Sequence, residues 1–465
     1  MSVLILILVL TLAPTSPLVA QTPAGGSISG VARDEQGAVV PGVSVSVASD
    51  SAPGAQRATT DRVGHYRLAG LPPGEYIVTA ELQGFATFVR PAVVLRAGLN
   101  VPVDIPMKVG RVGEIVEVRA ESPLLETRTG TQSVNVSGEL LRSVPLSEGR
   151  EWFAALAVAP GVVTTEFAGS KQFYIRGSEP TATIVQLDGV DVTASAKAGV
   201  TYLHLNTDAI ADIQIQTGGV RASAPIGSGG VISIATVSGT NRVKGATTLF
   251  VQPRQWNDSN QPGGTSTSIE QTQIDLTLGG PIVKNRLWAF GSYRRSDVKT
   301  GISRTAGQLQ ILEALISGFE PIDSTRKANF WFGKLNAQAG AHHVSGFYQK
   351  DTNPLFDILP NGQNPFGQAT GGMAASVRIS SAWTNRLTTS LGASYNDKDR
   401  QTLDWQVEGP NIRVFDGTIA AGGRLAGNGQ LASLGAPVLS RLTQPNEKLT
   451  FALDTTLYAS HRSTT

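Results

Sequence analysis

The sequence predicts a mainly β protein made of an N-terminal antiparallel β-sandwich, an α+β domain, and the N-terminal part of a transmembrane antiparallel β-barrel. Short alternating runs separated by Gly and Pro extend from Ser27 to about Met107. Two short helical patterns follow between residues 138 and 158, and longer alternating runs begin after Lys244. A chain of 465 residues is also too long for one ordinary domain, so two or three are expected.

The composition narrows the function classes. The chain has 51 Gly and 16% charged residues, which favours strands and turns over helices. Its net charge of +2, without a basic block, argues against a nucleic-acid partner. The absence of cysteine excludes disulfides, Cys-ligated zinc and thiol catalysis within this chain.

Residues 1–20 hold an apolar run from Val3 to Leu12, followed by prolines and a small residue at Ala20. The run is too short to cross a bilayer as a helix, which indicates a secretory signal peptide cleaved after Ala20. No Lys or Arg precedes it, so a buried strand or a misassigned start remains an alternative. No other stretch is apolar enough for a helical span, and membrane residence would therefore require β-strands.

Residues 26–108 predict the sandwich. Val43, Val45 and Val47 fall on one face of a strand, and turns at 60–64 and 71–74 separate further strands. These turn motifs resemble those of the carboxypeptidase regulatory-like domain. The resemblance implies a carbohydrate-binding-like fold, and both glycan contact and a purely structural spacer are open interpretations.

The residues argue against an enzyme. A zinc carboxypeptidase needs His and Glu at ligand spacing, and none of the five histidines is followed by Glu three residues later. His342 and His343 lie in an alternating pattern, which would place their side chains on opposite faces. No Gly-x-Ser-x-Gly motif marks a nucleophile. We therefore expect no catalytic residue, no metal site and no cofactor.

Three signatures follow one another in the middle of the chain. They are Phe173–Gly177, then Leu187–Val190, then Gly229–Ile234 running into Ser-Gly-Thr-Asn at 238–241. Their order resembles the plug domain of TonB-dependent outer-membrane receptors, and the last one is similar to the Oar-like branch. The resemblance implies a plug over residues 121–243 and a membrane gate. Its motif residues here are Arg176, Gly177, Asp188, Gly189, Gly229 and Gly230.

Two of these motif residues have a specific expectation. Asp188-Gly189 predicts a hairpin turn of the primed type, which explains Asp188 better than a catalytic pair with Asp191. Arg176 is expected within an apolar strand, where burial would require a carboxylate partner. The family resemblance implies that barrel-wall acids supply this partner, in residues that this chain lacks. An ordinary surface position is the alternative.

The 112–120 strip, which contains Glu114, Ile115, Val116, Glu117 and Val118, lies between the sandwich and the plug. Its position resembles that of the TonB box, which implies TonB and its inner-membrane energising complex as partners. An unpaired β-prone strip can add to the edge of a partner's sheet. A last strand of the sandwich is the alternative interpretation of the same residues.

Residues 244–465 predict part of a barrel. Ile274, Leu276 and Leu278 alternate with Gln273, Asp275 and Thr277, one face for lipid and one for a wet lumen. We expect extracellular loops at 252–268, 350–375 and 404–440. Plugged transporters use about 22 strands, whereas residues after 245 supply about eight. We therefore expect an incomplete barrel in a truncated chain.

These expectations combine into one function. The chain is identified as a member of the TonB-dependent outer-membrane receptors, with its sandwich in the periplasm and its barrel in lipid. The resemblance implies energised uptake of an extracellular ligand, either glycan or peptide, that is too large for porins. A non-transporting adhesin or signalling receptor, whose sandwich binds glycan or protein, is the alternative.

Overall fold

The computed structural model describes residues 25–50, 52–110, 115–117, 132–143, 150–167, 170–193, 200–218, 229–256, 269–301, 305–315, 319, 323–358, 365–383, 387–403, 412–415, 419–420, 424–425, 430–434, 443–444 and 447–457. The predicted signal peptide lies outside the described residues.

The N-terminal domain is a sandwich of two sheets. Its strands are β1 (Gly26–Asp34), β2 (Ser44–Ala48), β3 (Gln56–Thr59), β4 (His65–Leu71), β5 (Gly74–Glu81), β6 (Thr87–Leu95), β7 (Asn100–Pro102), β8 (Ile105–Met107) and β9 (Ile115–Glu117). One sheet has the order β4-β1-β7 with β8 also on β1, and the other has the order β3-β2-β5-β6-β9. Pairs among β1 to β6 are antiparallel, whereas β7 and β8 join β1, and β9 joins β6, in parallel.

The sandwich core follows the predicted alternation. Val43, Val45 and Val47 are all buried and pack in one apolar cluster. Tyr66 donates its hydroxyl to the Val103 carbonyl at 2.6 Å, and Tyr76 donates to the Pro72 carbonyl at 2.7 Å. Burial raises the pKa of both phenols well above the ordinary range.

The middle domain is α+β. It contains β10 (Gln132–Ser137), helix α1 (Gly138–Ser143), β11 (Val162–Phe167), β12 (Ser170–Ile175), β13 (Thr183–Leu187), β14 (Val190–Asp191), β15 (Val200–Thr201), β16 (Ile210–Gly218) and β17 (Gly230–Thr236), with 3-10 turns at Trp152–Val158, Pro180–Ala182 and Thr207–Ala209. Its main sheet has the order β10-β16-β17-β13-β14, and β11-β12-β15 form a second sheet. The second predicted helix is thus a 3-10 segment, whose Trp152, Ala155 and Leu156 are buried as their spacing predicts.

The C-terminal region forms an antiparallel sheet, here called the wall. Its strands are β18 (Lys244–Gln252), β19 (Ile269–Val283), β20 (Leu287–Thr300), β21 (Ser324–Ala339), β22 (His342–Ile358), β23 (Pro365–Ala382), β24 (Leu387–Leu403), β29 (Thr443–Gln444) and β30 (Glu447–Leu457). Helix α2 (Ala306–Leu315), a 3-10 turn at Arg254–Trp256 and the short strands β25 (Ile412–Phe415), β26 (Ile419–Ala420), β27 (Arg424–Leu425) and β28 (Gln430–Leu434) complete the described elements. Each strand from β18 to β23 pairs with the next one along the chain, and β24 pairs with β29 and β30.

The two faces of the wall differ as predicted. Ile274, Leu276 and Leu278 are exposed on one face, whereas Gln273 and Asp275 are buried on the other. The predicted loop at 350–375 is wrong over most of its length, because residues 351–358 and 365–372 pair with each other as extensions of β22 and β23. Across the described ranges, no helix is both long and apolar enough to cross a membrane.

Candidate functional site

The middle domain packs against the inner face of the wall. Its apolar core includes Trp152, which stacks on Phe173 with ring centroids 5.8 Å apart. The same cluster continues into Phe290, Phe332 and Phe347 of the wall. The middle domain and the wall therefore share one core.

Two glycines of the third sequence signature, Gly229 and Gly230, pack against the residues at the end of β12. A Cβ on Gly230, whose φ is +152°, would lie 2.7 Å from both the Ile175 side chain and the Gln216 carbonyl. A Cβ on Gly229 would lie 2.5 Å from the Ser178 hydroxyl. Side chains at both positions would collide with neighbours, so close packing requires glycine.

The expected position of Arg176 within a strand is wrong. Strand β12 ends at Ile175, and Arg176 follows it with a left-handed φ of +51°, next to Gly177 at +74°. The Arg176 amide donates to the Gly161 carbonyl at 2.7 Å, while its side chain is exposed and joins no ion pair among the described residues. Pairing with a wall carboxylate stays a prediction.

The hairpin at Asp188-Gly189 is confirmed and also carries an ion pair. The φ values of +46° and +83° are those of a primed turn between β13 and β14. The Asp188 carboxylate accepts from the Thr236 amide at 2.9 Å and from Nζ of Lys334 on β21 at 2.9 Å. Asp188 thus fixes the hairpin both to β17 and to the wall.

A second ion pair joins the same hairpin to β30, at the other end of the wall sheet from β18. The Asp191 carboxylate lies 2.8 Å from Nζ of Lys448 on β30. Both links run from carboxylates of the middle domain to lysines of the wall. Sequence reasoning did not find these lysines, because they lie 146 and 257 residues from their partners.

A buried arginine connects β20 to the middle domain. Arg294 forms two hydrogen bonds with Asp275, at 2.7 and 2.8 Å, and both residues are buried. It also donates to the Arg150 carbonyl at 3.0 Å, to Asn206 at 3.0 Å and to Thr207 at 2.8 Å. The guanidinium is thus well supplied with acceptors, which compensates for its burial.

Arg150 lies beside this pair. Its guanidinium is 3.5 Å from Asp275 and stacks over the Phe250 ring at 3.9 Å. Burial and the nearby positive charge of Arg294 lower the pKa of Arg150. The backbone of Arg150 has a left-handed φ of +48°.

His204 forms a second buried polar centre. Its backbone amide donates to Asp351 of β22 at 2.6 Å, and its ring lies 3.2 Å from Glu151 and 3.0 Å from Thr370. Lys398 pairs with the same Asp351. The His204 contacts tie the middle domain to β22 and β23, and Lys398 joins β24 to β22. In the part of the chain that the structure describes, no group of three His, Asp or Glu side chains could hold a metal ion.

The sandwich contacts the middle domain through Asp212 of β16, which is fully buried. Its carboxylate accepts from the Ala97 amide at 2.7 Å and from the Asn135 side chain at 2.8 Å. Burial raises the pKa of Asp212, although both hydrogen bonds oppose this shift.

The candidate TonB-contact residues lie at the edge of the sandwich. Strand β9 pairs in parallel with β6, with Thr87 opposite Ile115, Phe88 opposite Val116 and Val89 opposite Glu117. Glu114 and Val118 lie outside the described residues. The alternative interpretation as a last sandwich strand therefore describes the observed position of 115–117, and contact with TonB stays a prediction.

Comparisons with known families identify the first two parts of the chain. The model of the carboxypeptidase regulatory-like domain matches residues 27–108. The model of the TonB-dependent receptor plug domain matches residues 126–232. The middle of the chain is therefore a plug domain of the TonB-dependent receptor kind. The middle domain is accordingly called the plug, and homologues in this family are outer-membrane β-barrel proteins.

The chain is also similar to one curated transporter. The chain is 28% identical to the TonB-dependent transporter Oar of Myxococcus xanthus over 284 residues. The match covers 58% of this chain and 26% of Oar, so the chain spans about a quarter of its relative's length.

Solved structures of other receptors are also similar. They include the outer membrane transporter YddB of Escherichia coli, with TM-score 0.49 and 13% identity over 71% of this chain and 46% of YddB. The siderophore receptor PirA of Acinetobacter baumannii has TM-score 0.46 and 17% identity over 69% of this chain and 44% of PirA.

Proposed function

We propose that the protein takes up an extracellular ligand too large for porins through a plugged outer-membrane barrel, with energy supplied through TonB. The observation that carries this proposal is the single core shared by plug and wall. The exposed apolar face of the wall suits lipid, and the plug occupies the opposite, polar face. A plug in this position would block the lumen until it moves.

The contacts between plug and wall explain why energy would be needed. Hydrogen bonds or ion pairs join the plug to the wall at four residues: Arg294, His204, Asp188 and Asp191. A hydrogen bond contributes on the order of 1 kcal/mol net, and the shared apolar core adds to this. Spontaneous release of the plug would therefore be rare.

The placement of the sandwich supports a periplasmic position for it. Nζ of Lys244, at the start of β18, donates to the Asp50 carbonyl of the sandwich at 3.0 Å. A Cβ on Gly54 would lie 2.9 Å from the ring of Trp288, which follows the short connection 284–286. Short connections of outer-membrane barrels lie on the periplasmic side. The sandwich and the 112–120 strip would then lie where TonB acts.

In this proposal the residues that contact TonB are Glu114 to Val118. The main chain of an extended strip can pair with a sheet edge of TonB with little demand on side chains. Proline at position 116 removes a backbone donor and would interrupt such pairing. Threonine at the same position keeps the donor and the β-branched shape.

The test measures binding of the periplasmic domain of TonB to the full-length protein in detergent. We expect Val116→Pro to abolish binding and Val116→Thr to retain it. Unchanged binding by Val116→Pro would refute the strip as the TonB-contact segment. It would favour a receptor that does not use TonB, such as an adhesin.

A further inference from the structure

The sandwich holds the first strand of the plug through one loop. Residues 96–99 connect β6 to β7, and Ala97 within this loop is fully buried against the plug. Its amide donates to Asp212 at 2.7 Å, and its carbonyl accepts from the Asn135 side chain at 3.3 Å. Both main-chain groups of one residue are therefore used by the plug.

The surface that receives this loop is built from two plug strands. Asn135 belongs to β10, and Asp212 and Gln214 belong to β16. Asn135 also donates to Asp212 at 2.8 Å, so the amide of Asn135 bridges the sandwich loop and the carboxylate. Removal of β10 would take one donor from Asp212 and one donor from the Ala97 carbonyl.

Strand β10 is an edge of the main plug sheet, where it pairs with β16 alone. Among the described residues it is also the first plug strand after the 112–120 strip. Force applied at the strip would therefore reach β10 before any other strand of the plug sheet. An edge strand held by one neighbour is the part of a sheet that separates most readily.

We propose that the 96–99 loop clamps β10 onto the plug, so that docking of the sandwich and retention of β10 stabilise each other. Without β10, the buried carboxylate of Asp212 loses the hydrogen bond from Asn135. Docking of the sandwich on the plug then becomes less favourable. Without the sandwich, β10 loses the contact between Asn135 and Ala97. The coupling between sandwich docking and β10 retention does not depend on the proposed function. The further step, in which release of β10 forms part of gate opening, rests on the proposed function.

Gly98 gives a variant on the sandwich side that leaves β10 and β16 unchanged. Its φ is +70°, and a Cβ there would lie 2.1 Å from the Gln214 side chain. Gly98→Asp would push the loop away and place a negative charge near Asp212. Gly70→Asp is a matched control, because Gly70 has a φ of +71° and a Cβ there meets nothing within 4 Å.

The experiment measures amide hydrogen exchange of residues 132–137 in the full-length protein in detergent. We expect Gly98→Asp to accelerate exchange in β10 by about tenfold, with exchange in β17 unchanged. Gly70→Asp should leave both segments unchanged. Exchange in β10 that is equal in Gly98→Asp and the unmodified protein would overturn the proposal.

A disulfide provides a second and opposite test. Because this chain has no cysteine, Gly98→Cys with Gln214→Cys can be oxidised and reduced without interference from other thiols of the chain. Oxidation should slow exchange in β10, and reduction should restore it. An oxidised loop with unchanged β10 exchange would also contradict the clamp. Neither readout depends on TonB, so failure here is distinct from failure of the Val116 test.

Discussion

The carboxylate of Asp188 lies 2.9 Å from Nζ of Lys334, and this contact joins the tip of a plug hairpin to wall strand β21. Only 13% and 11% of these side chains are exposed, so water screens the pair weakly. The same residue has the left-handed backbone that its turn requires. One aspartate therefore shapes the hairpin and holds it to the wall.

Asp188→Asn separates these two roles. Asparagine accepts the left-handed conformation, so the turn should persist while the ion pair is lost. We expect a loss of about 1 to 3 kcal/mol in the unfolding free energy, measured by urea denaturation. Asp191→Asn is the control, because its pair with Lys448 is more exposed and should contribute less than about 1 kcal/mol. Equal losses in the two variants would contradict this interpretation.

Arg294 should be sensitive to the loss of its charge. Arg294→Met would leave Asp275 buried without its bidentate partner, and we expect about 3 to 5 kcal/mol of destabilisation in urea denaturation. The double variant Arg294→Met with Asp275→Leu should be more stable than the single variant, because it no longer buries the Asp275 carboxylate without its bidentate partner. A double variant less stable than Arg294→Met would show that the unpaired Asp275 carboxylate is not the cause of the destabilisation.

Docking of the sandwich should depend on pH through Asp212. Its pKa is raised above the ordinary value of 3.8 in the folded protein, so the folded state binds the proton more strongly. The stabilisation from this proton is therefore present at low pH and is lost as pH rises from the ordinary value through the raised one. Hydrogen exchange of residues 96–99 should become faster as pH rises through this window, after correction for intrinsic rates.

The Asp212→Asn variant removes the titrating group and keeps an acceptor for the Ala97 amide. Its corrected exchange at 96–99 should be independent of pH over the same window. A pH dependence that persists in this variant would assign the effect to another group.

The pairing of β9 with β6 predicts a specific crosslink. Val89 and Glu117 lie opposite each other, so Val89→Cys with Glu117→Cys should form a disulfide on oxidation. Thr87→Cys with Glu117→Cys is out of register by two residues and should crosslink poorly. The yield of each crosslink can be measured by mass spectrometry of tryptic peptides. Equal yields of the two crosslinks would contradict the pairing of residues 115–117 with β6 in this register.

Local patterns in the sequence predicted much of the fold. The alternation of Val43, Val45 and Val47 located a sandwich strand, and that of Ile274, Leu276 and Leu278 located the outer face of the wall. The hairpin at Asp188 followed from turn chemistry. In each of these cases neighbouring residues determine the structure, so a single sequence is sufficient.

The contacts between domains could not be predicted in the same way. Lys334, Lys448 and Arg294 find their plug partners across long sequence separations, and no local pattern marks them. Arg176 was misplaced because its apolar neighbours suggested a strand that ends one residue earlier. The parallel position of β9 depends on an open edge of β6, which the strip itself does not reveal.

In the proposed function TonB moves the plug away from the wall, and a single cysteine tests this movement most directly. Ser292 is buried beneath the plug and accepts from Asn206 at 2.9 Å, so Ser292→Cys should be protected from a small hydrophilic maleimide at rest. In cells that express the full-length protein, we predict labelling when TonB is present and energised, and no labelling without TonB or in combination with Val116→Pro. Lys284→Cys in an exposed connection should be labelled in every case. Labelling of Ser292→Cys that is the same with and without TonB would show that TonB does not move the plug away from the wall.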